Sequence, residues 1–337
     1  MSFQKICIYG AGAIGGWMGA RLAQCQGVTL SVVARGATLN ALQNDGLRLY
    51  ANPNGGSNFA DLQVQVKASA QPADLGVQDL VIIAVKAPAL PEVAQHIAPL
   101  LGQHTLVLTA MNGVPWWFLH NFGGVYANTA LASVDRAGHI AQAIASHHVM
   151  GGVVHASCSL RAPGQIQHHF GNGLIVGEPS GVRSERAHAL QTLLVQAGFE
   201  ATLSDQIQKN VWYKLWGNMS VNPVSALTGA TTDKILDDPA VLEFISNVML
   251  EAKSIGERLG IPIAQQPQDR HAVTRKLGAF KTSMLQDVQA ARPVELDALV
   301  GAVCELGQIT GVATPFSNAL MGLARLQAQG LGLYPKI

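Results

Sequence analysis

The chain has little charge, few cysteines and no long apolar run, and each shortage removes a class of function. Asp, Glu, Lys and Arg make up only 13% of the 337 residues and nearly cancel, leaving a net charge of +1. No global field therefore favours nucleic acid or an anionic membrane, and no basic stripe supports a nucleic-acid binder. The four cysteines, Cys7, Cys25, Cys158 and Cys304, lie far apart with no CxxC pair. Buried, reduced thiols are the expectation, rather than a disulfide framework or a metal cage. No uninterrupted apolar stretch reaches the roughly 18 residues of a membrane span. A strand that starts directly after Met1 leaves no secretory signal to read, so a cytoplasmic, soluble protein is expected.

Hydrophobic residues, by contrast, are plentiful at 48%, enough for large cores and unlike a disordered chain. The length exceeds the usual single domain, so two are expected. No internal repeat or low-complexity segment interrupts the chain.

Lys5-Ile6-Cys7-Ile8-Tyr9 reads as a short buried strand, followed by Gly10-Ala11-Gly12-Ala13-Ile14-Gly15 and then a helical stretch. Strand, G-x-G-x-x-G and helix in that order form the setting a dinucleotide fingerprint requires. Gly10 makes the tight turn, Gly12 admits a pyrophosphate to the backbone, and Gly15 packs helix on strand. The helix N-terminus offers unpaired N–H groups to phosphate. The bland alternative is a glycine-rich turn with no ligand.

The second strand, 28–34, ends at Ala34-Arg35-Gly36 without the acidic residue that would hold a ribose 2′-hydroxyl. An arginine here suits a 2′-phosphate, which its planar fork can pair bidentately. The expected cofactor is therefore NADPH, although Arg35 could be an ordinary surface arginine. A helix is expected over 37–46. Segments 47–50 and 62–66 alternate around Asn52-Pro53-Asn54-Gly55-Gly56 like a hairpin.

Apolar strands at 79–85 and 105–110 end at Lys86 and Asn112, the edge where open α/β sheets bind ligands. Lys86 could meet cofactor phosphate or ribose, and Asn112 the nicotinamide-side ribose or the substrate. Either could equally be a turn residue. Trp116-Trp117-Phe118 reads more readily as core or lid packing than as a recognition box. Residues 125–131 look strand-like, and 152–159 and 165–170 form antiparallel strands about Ala162-Pro163-Gly164. The pairs His147-His148 and His168-His169 are read as strand neighbours pointing to opposite faces, so neither chelates and no metal is expected.

A helix is expected over 183–197, and helical periodicity dominates afterwards. The boundary is placed near Ser204. The expected architecture is an α/β Rossmann-type dinucleotide-binding domain, residues 1–203, followed by an all-α domain, residues 204–337. In the helical half, Lys214, Asn218 and Asn222 recur at i, i+4, i+8 and line one helix face. Pro223 should kink or end that helix. An ammonium in an otherwise apolar helix is expensive unless it faces a partner or a wet cleft. Further on, Arg292-Pro293 reads as a helix start that places Glu295 and Asp297 in the first turn. That alone would explain both carboxylates, so a catalytic role for them stays open.

Together these stretches resemble the ketopantoate reductase (2-dehydropantoate 2-reductase) family: GAGAIG, VVAR, AVKA, MNGV, YKLWGNMSVNP and KTSMLQDVQAARPVELD. The resemblance spans essentially the whole chain, and the last two motifs are its most specific part. It implies a C-terminal domain of the 6-phosphogluconate dehydrogenase C-terminal-like kind. It also implies NADPH-dependent reduction of the C2 ketone of a branched 2-keto acid, as in pantothenate and coenzyme A biosynthesis. On that resemblance Lys214 is the general acid, and Asn112, Asn218, Asn222 and Ser283 meet the substrate. Glu295 lies near Lys214 and the cofactor ribose. Gly10, Ala11, Gly12, Ala13, Ile14, Gly15, Arg35, Lys86, Asn112 and Ala156 hold the cofactor.

Three features depart from the family pattern. The segment 113–151 is long, Phe280 stands where some members have a substrate-contacting asparagine, and Thr232 replaces another asparagine. They point to an altered pocket, so a related NADP-dependent 2-keto acid reductase or 2-hydroxy acid dehydrogenase with a bulkier substrate is the alternative. The apolar helical half would suit a homodimer.

Overall fold

The computed structural model describes residues 2–335; Met1, Lys336 and Ile337, at the outer ends of the two expected domains, lie outside them. The chain falls into two compact units. The first takes the residues to Met111, then Trp117–Asn128 and His139–Ile207. The second takes Asn112–Trp116, Thr129–Gly138 and the chain from Gln208 onward.

The first unit is built on one ten-stranded sheet. Its strands are β1 (Lys5–Tyr9), β2 (Thr29–Val33), β3 (Leu47–Tyr50), β4 (Leu62–Val64), β5 (Lys67–Ser69), β6 (Leu80–Ile83), β7 (Leu106–Thr109), β8 (Val149–Ala162), β9 (Gln165–Gly177) and β10 (Glu200–Leu203). They lie in the order β4-β3-β9-β8-β7-β6-β1-β2-β5, with β10 also paired to β9. From β7 to β5 the pairing is parallel throughout. Strands covered on both faces must be apolar all along, and β6 and β7 are buried at every position. Helices α1 (Ala13–Leu22), α2 (Gly36–Asp45), α3 (Leu90–His96), α4 (His139–Ala143) and α5 (Glu185–Gln196) complete the unit.

The long β8–β9 hairpin turns at Gly164, whose φ of +72° is costly for a residue with a side chain. Its register slips between His155 and Ser157, so Ala156 sits in a β-bulge. Two local expectations are corrected here. Residues 125–131 form turns, not a strand; Val125 is 90% exposed, so nothing buries a pleated face there. His147 and His148 lie in a 3₁₀ turn, Ser146–His148, where their rings come within 3.9 Å instead of diverging. Among the described residues no cluster of three or more metal-ligating side chains forms.

The second unit is helical: α6 (Ile207–Thr228), α7 (Thr232–Asp237), α8 (Pro239–Arg258), α9 (Pro267–Arg275), α10 (Ser283–Gln289), a π-turn (Asp297–Gly301), α11 (Ala302–Thr310) and α12 (Pro315–Gly330). Helix α6, which starts at the last residue of the first unit, is pinned to α8 by two buried tryptophans. Trp212 Nε1 donates to Ala252 O at 3.2 Å and Trp216 Nε1 to Met249 O at 2.7 Å. Each buried indole contributes about 1.5–3 kcal/mol, and each N–H is satisfied as burial requires. Pro223 does not end α6, which runs on to Thr228. The continuing turn is held from outside: Gln327 Nε2 on α12 donates to Ala226 O and Leu227 O. These bonds satisfy two of the carbonyls that the helix C-terminus leaves without an intrahelical donor. Glu251 on α8 is 9% exposed and accepts from Phe316 N, Ser317 N and Ser317 Oγ, capping α12. No described helix is long and apolar enough to cross a membrane.

Candidate active site

The glycine turn of the first unit separates three different demands. Gly10 has φ +98°, and a Cβ there would meet Val85 Cγ1 at 2.6 Å. A Cβ on Gly15 would stand 2.1 Å from the Gly10 carbonyl oxygen and 2.9 Å from Ile8 Cγ2, so this glycine lets α1 rest on β1. Gly12, the N-cap of α1, has nothing within 4 Å of that position. Its freedom from side chain is not needed for packing. The first turn of α1, including Ala13, Ile14 and Gly15, carries no acidic residue, so the positive end of the helix is not countered there. A pyrophosphate fits that combination of open space and helix N-terminus.

Arg35 is the N-cap residue of α2, and its guanidinium is paired with Glu92 in the first turn of α3. Both side chains are well exposed, at 65% and 47%. Glu92 is one residue that sequence reasoning missed: an acid after Leu90-Pro91 looks like ordinary helix-start chemistry. Tyr9, at the end of β1, registers the same pair. Burial first, then Glu92, pushes its phenol up, while Arg35 pulls it down. Lys86 is half-buried and directly precedes a 3₁₀ turn, Ala87–Ala89. Ala156 is half-buried in the β8 bulge.

The tryptophan pair is core. Trp117 is fully buried and donates through Nε1 to Thr109 Oγ1 at 3.1 Å within the first unit. Trp116, in the second unit, is 2% exposed. Burial disfavours the thiolate at three of the cysteines, pushing Cys7 and Cys158 up to about 12 and Cys304 up to about 11.

In the second unit the expected polar residues converge on α6. Lys214 stands about 200° around the helix from Trp212, so anchoring the indoles turns the lysine row the other way. Lys214 Nζ donates to Asn112 Oδ1 at 2.9 Å. Asn112 is placed by its neighbour: Gly113 has φ +84° and rests on Ala298, whose O accepts from Val114 N at 2.8 Å. Asn222 is 8% exposed, and its Nδ2 donates to Ser283 Oγ, in the first turn of α10, at a long 3.4 Å. Asn218, between them on α6, is half-buried.

Glu295 does not sit in a first helical turn as expected. Residues 292–295 belong to no helix or strand, the helix starts at Leu296, and the Glu295 carbonyl accepts from Leu299 N at 3.1 Å. Its side chain is nevertheless only 5% exposed and acts on Lys214. The helix-start explanation for this carboxylate therefore lapses. Asp297 has a structural partner instead, Tyr334, whose Oη donates to Oδ1 at 2.6 Å.

Burial lowers the Lys214 ammonium from 10.5 to about 8; Glu295 pulls it back up, and Arg270 pushes it further down. A little of the side chain still meets solvent, yet the charged end is desolvated. A lysine so poised can hold a proton at neutral pH and release it readily. Arg270, on α9, was not among the expected residues. Its trace in the sequence is Gly217, an unexplained glycine inside a long helix.

Two departures from the family pattern form one structure. Thr232 is 2% exposed; its Oγ1 donates to Gly278 O at 2.7 Å, and its N to Phe280 O at 3.0 Å. Thr232 thus holds the main chain at Phe280.

Comparison with known proteins adds an independent line. A family model described as ketopantoate reductase PanE/ApbA matches residues 6–181, and its C-terminal counterpart matches residues 206–328. A 2-dehydropantoate 2-reductase of Mesorhizobium japonicum is 45% identical over 330 residues, covering 98% of this chain and 99% of that protein. The solved structure of a provisionally assigned ketopantoate reductase from Ralstonia solanacearum MolK2 is 53% identical, with a TM-score of 0.92 over 99% of this chain and 100% of that one. D-mandelate dehydrogenase, solved with NADH and anilino(oxo)acetate, is 20% identical and shares the fold, with a TM-score of 0.81 over 98% of this chain and 100% of that one.

Proposed function

The chain belongs to the ketopantoate reductase family, and from that premise we propose that it reduces 2-dehydropantoate to pantoate with NADPH, using Lys214 as general acid. Membership makes it an oxidoreductase acting on CH–OH groups. The observation that carries the finer reading is Lys214 itself, a desolvated ammonium lowered to about 8 and hydrogen-bonded to Asn112.

The division of labour we propose is a dinucleotide-binding domain of residues 1–203 and a substrate domain of residues 204–337. Gly10 to Gly15 and the α1 N-terminus would hold the pyrophosphate, Arg35 the 2′-phosphate, and Lys86, Ala156, Asn112 and Glu295 the remaining contacts. When bound there, the nicotinamide would supply the hydride that adds to the C2 carbon of the keto acid. As the carbonyl oxygen gains electron density, Lys214 stabilises it and transfers one proton, leaving a hydroxyl and a neutral amine. Asn112 aims the ammonium, and Glu295 sustains its charge. Asn218, Asn222 and Ser283 offer neutral donors and acceptors that orient the substrate without trapping product.

NADPH oxidation with a panel of 2-keto acids tests this reading. Turnover of 2-dehydropantoate above the others is expected. Absence of turnover with every 2-keto acid, with NADPH and NADH alike, sinks it. The second reading is a related 2-keto acid reductase for a bulkier substrate. Thr232 and Phe280 favour it, because a ring and a structural hydroxyl stand where asparagines are expected. In the same panel it gives its highest turnover with an aromatic or long-chain 2-keto acid. A homodimer in the cytoplasm is the assembly and location we propose; the ketopantoate reductase of Staphylococcus aureus is described as dimeric. Light scattering on the purified chain tests the assembly.

A further inference from the structure

A glycine in the middle of α6 supports an unassigned cation beside the general acid. Gly217 lies inside a 22-residue helix, where glycine is less favourable than alanine by about 1 kcal/mol. The structure shows why it is there. A Cβ on Gly217 would meet Arg270 Nε at 2.5 Å, Nη2 at 2.7 Å and Cζ at 3.0 Å. The guanidinium of Arg270 lies directly on the helix where the side chain is missing. Gly217 is three residues from Lys214, so Arg270 rests beside the lysine end of the polar row, where it acts on the Lys214 charge.

Arg270 is not explained as an ion pair. Its Nε is buried without a hydrogen-bond partner, and its recorded aromatic contact is the Tyr213 ring, 5.5 Å from Cζ. Tyr213 is itself fixed, with its hydroxyl donating to Gln265 Oε1 at 2.7 Å. Glu295 and Arg270 both act on the Lys214 ammonium, so the guanidinium lies within electrostatic reach of the group that protonates the substrate oxygen. A second cation there suits an anionic substrate. A 2-keto acid carries its charge at the right place in its own skeleton: its carboxylate is bonded to C2, the carbon whose oxygen Lys214 protonates. A planar guanidinium matches a carboxylate with two parallel N–H···O bonds.

We propose that Arg270, berthed on Gly217, binds the substrate carboxylate and makes the enzyme selective for 2-keto acids over their uncharged analogues. This rests on the keto acid reductase reading above. The test compares a 2-keto acid with its methyl ester in wild type, Arg270→Met, Arg270→Lys and Gly217→Ala, with NADPH affinity measured alongside. Arg270→Met should raise KM for the acid roughly 10- to 100-fold, the range of a lost charged hydrogen bond, and leave KM for the ester nearly unchanged. Arg270→Lys, retaining a point charge, should recover part of the preference. Gly217→Ala should act like Arg270→Met, because its methyl displaces the flexible end of Arg270 and improves helix propensity. NADPH affinity should not move in any of them. Equal loss on acid and ester, or an unchanged acid preference in Arg270→Met and Gly217→Ala, overturns the proposal. A wild type that reduces no 2-keto acid overturns the underlying reading instead.

Discussion

Asn112 Oδ1 accepts a hydrogen bond from Lys214 Nζ at 2.9 Å, joining two residues 102 positions apart. The acceptor is a neutral amide, which aims the ammonium without neutralising it. A carboxylate in that place would stabilise the charged form and hold the pKa high. An amide leaves burial in control, and burial has lowered Lys214 to about 8. A proton donor for an alkoxide needs that combination of fixed direction and easy release.

Replacing Lys214 by alanine should therefore reduce kcat roughly 10²- to 10⁴-fold. Dinucleotide affinity, measured by fluorescence titration, should stay close to wild type, because the glycine turn lies in the other unit. Near-normal turnover would remove Lys214 from the mechanism.

The pH dependence follows from the same residue. As the proposed general acid Lys214 has to carry its proton, so activity should fall as pH rises through about 8. Glu295 raises this pKa, so Glu295→Gln should move the basic limb to lower pH. Stability gives a second readout. Folding lowers the lysine from 10.5 to about 8, so its charge disfavours the folded state below pH 8, by about 3 kcal/mol gross. That penalty fades between pH 8 and 10.5. The stability difference between Lys214→Met and wild type should shift in the wild type's favour across this window. Denaturant unfolding at a series of pH values checks it, and a flat difference contradicts it.

Much of the site was legible because its signals are local. The glycine spacing, the apolar strands that end at Lys86 and Asn112, and the i, i+4, i+8 row on α6 all depend on short periodicities. The misreadings come from long-range contacts. Pro223 reads as kinking or ending the helix; it does not end it, and Gln327, about a hundred residues away, holds carbonyls of the turn beyond it. Glu295 looked like a first-turn carboxylate, and only the fold shows that the helix starts after it. Arg270 has no motif at all; it becomes visible once α9 lies against Gly217. Glu92 was hidden by a sufficient local explanation.

The two glycines of the turn should separate fold from binding. Gly15→Ala would drive a Cβ to within 2.1 Å of the Gly10 carbonyl, a backbone atom that cannot easily yield. Loss of thermal stability, or failure to fold, is expected. Gly12→Ala meets no protein atom within 4 Å, and Gly12 has an ordinary φ of −71°. Its melting temperature should stay near wild type while NADPH affinity drops at least tenfold, since the methyl occupies the space proposed for the pyrophosphate. Unchanged affinity in Gly12→Ala would argue against a phosphate at that position.

The last prediction concerns the choice between NADPH and NADH. Arg35 is paired with Glu92, so a 2′-phosphate must take the guanidinium from an existing partner. That exchange is feasible because both side chains are exposed, and such a surface pair is worth only about 0.2–1 kcal/mol. A phosphate accepting a bidentate charged hydrogen bond gains more, about 1.5–3 kcal/mol. Arg35→Ala should therefore weaken NADPH roughly 10- to 100-fold and leave NADH almost unaffected. Glu92→Gln should act in the opposite direction, tightening NADPH by up to about fivefold as the competing carboxylate is removed. Salt adds a further check, because screening weakens the exposed pair and the phosphate contact together. If Arg35→Ala leaves NADPH affinity intact, the arginine is only the surface partner of Glu92, and selectivity for the phosphate has to come from elsewhere in the first unit.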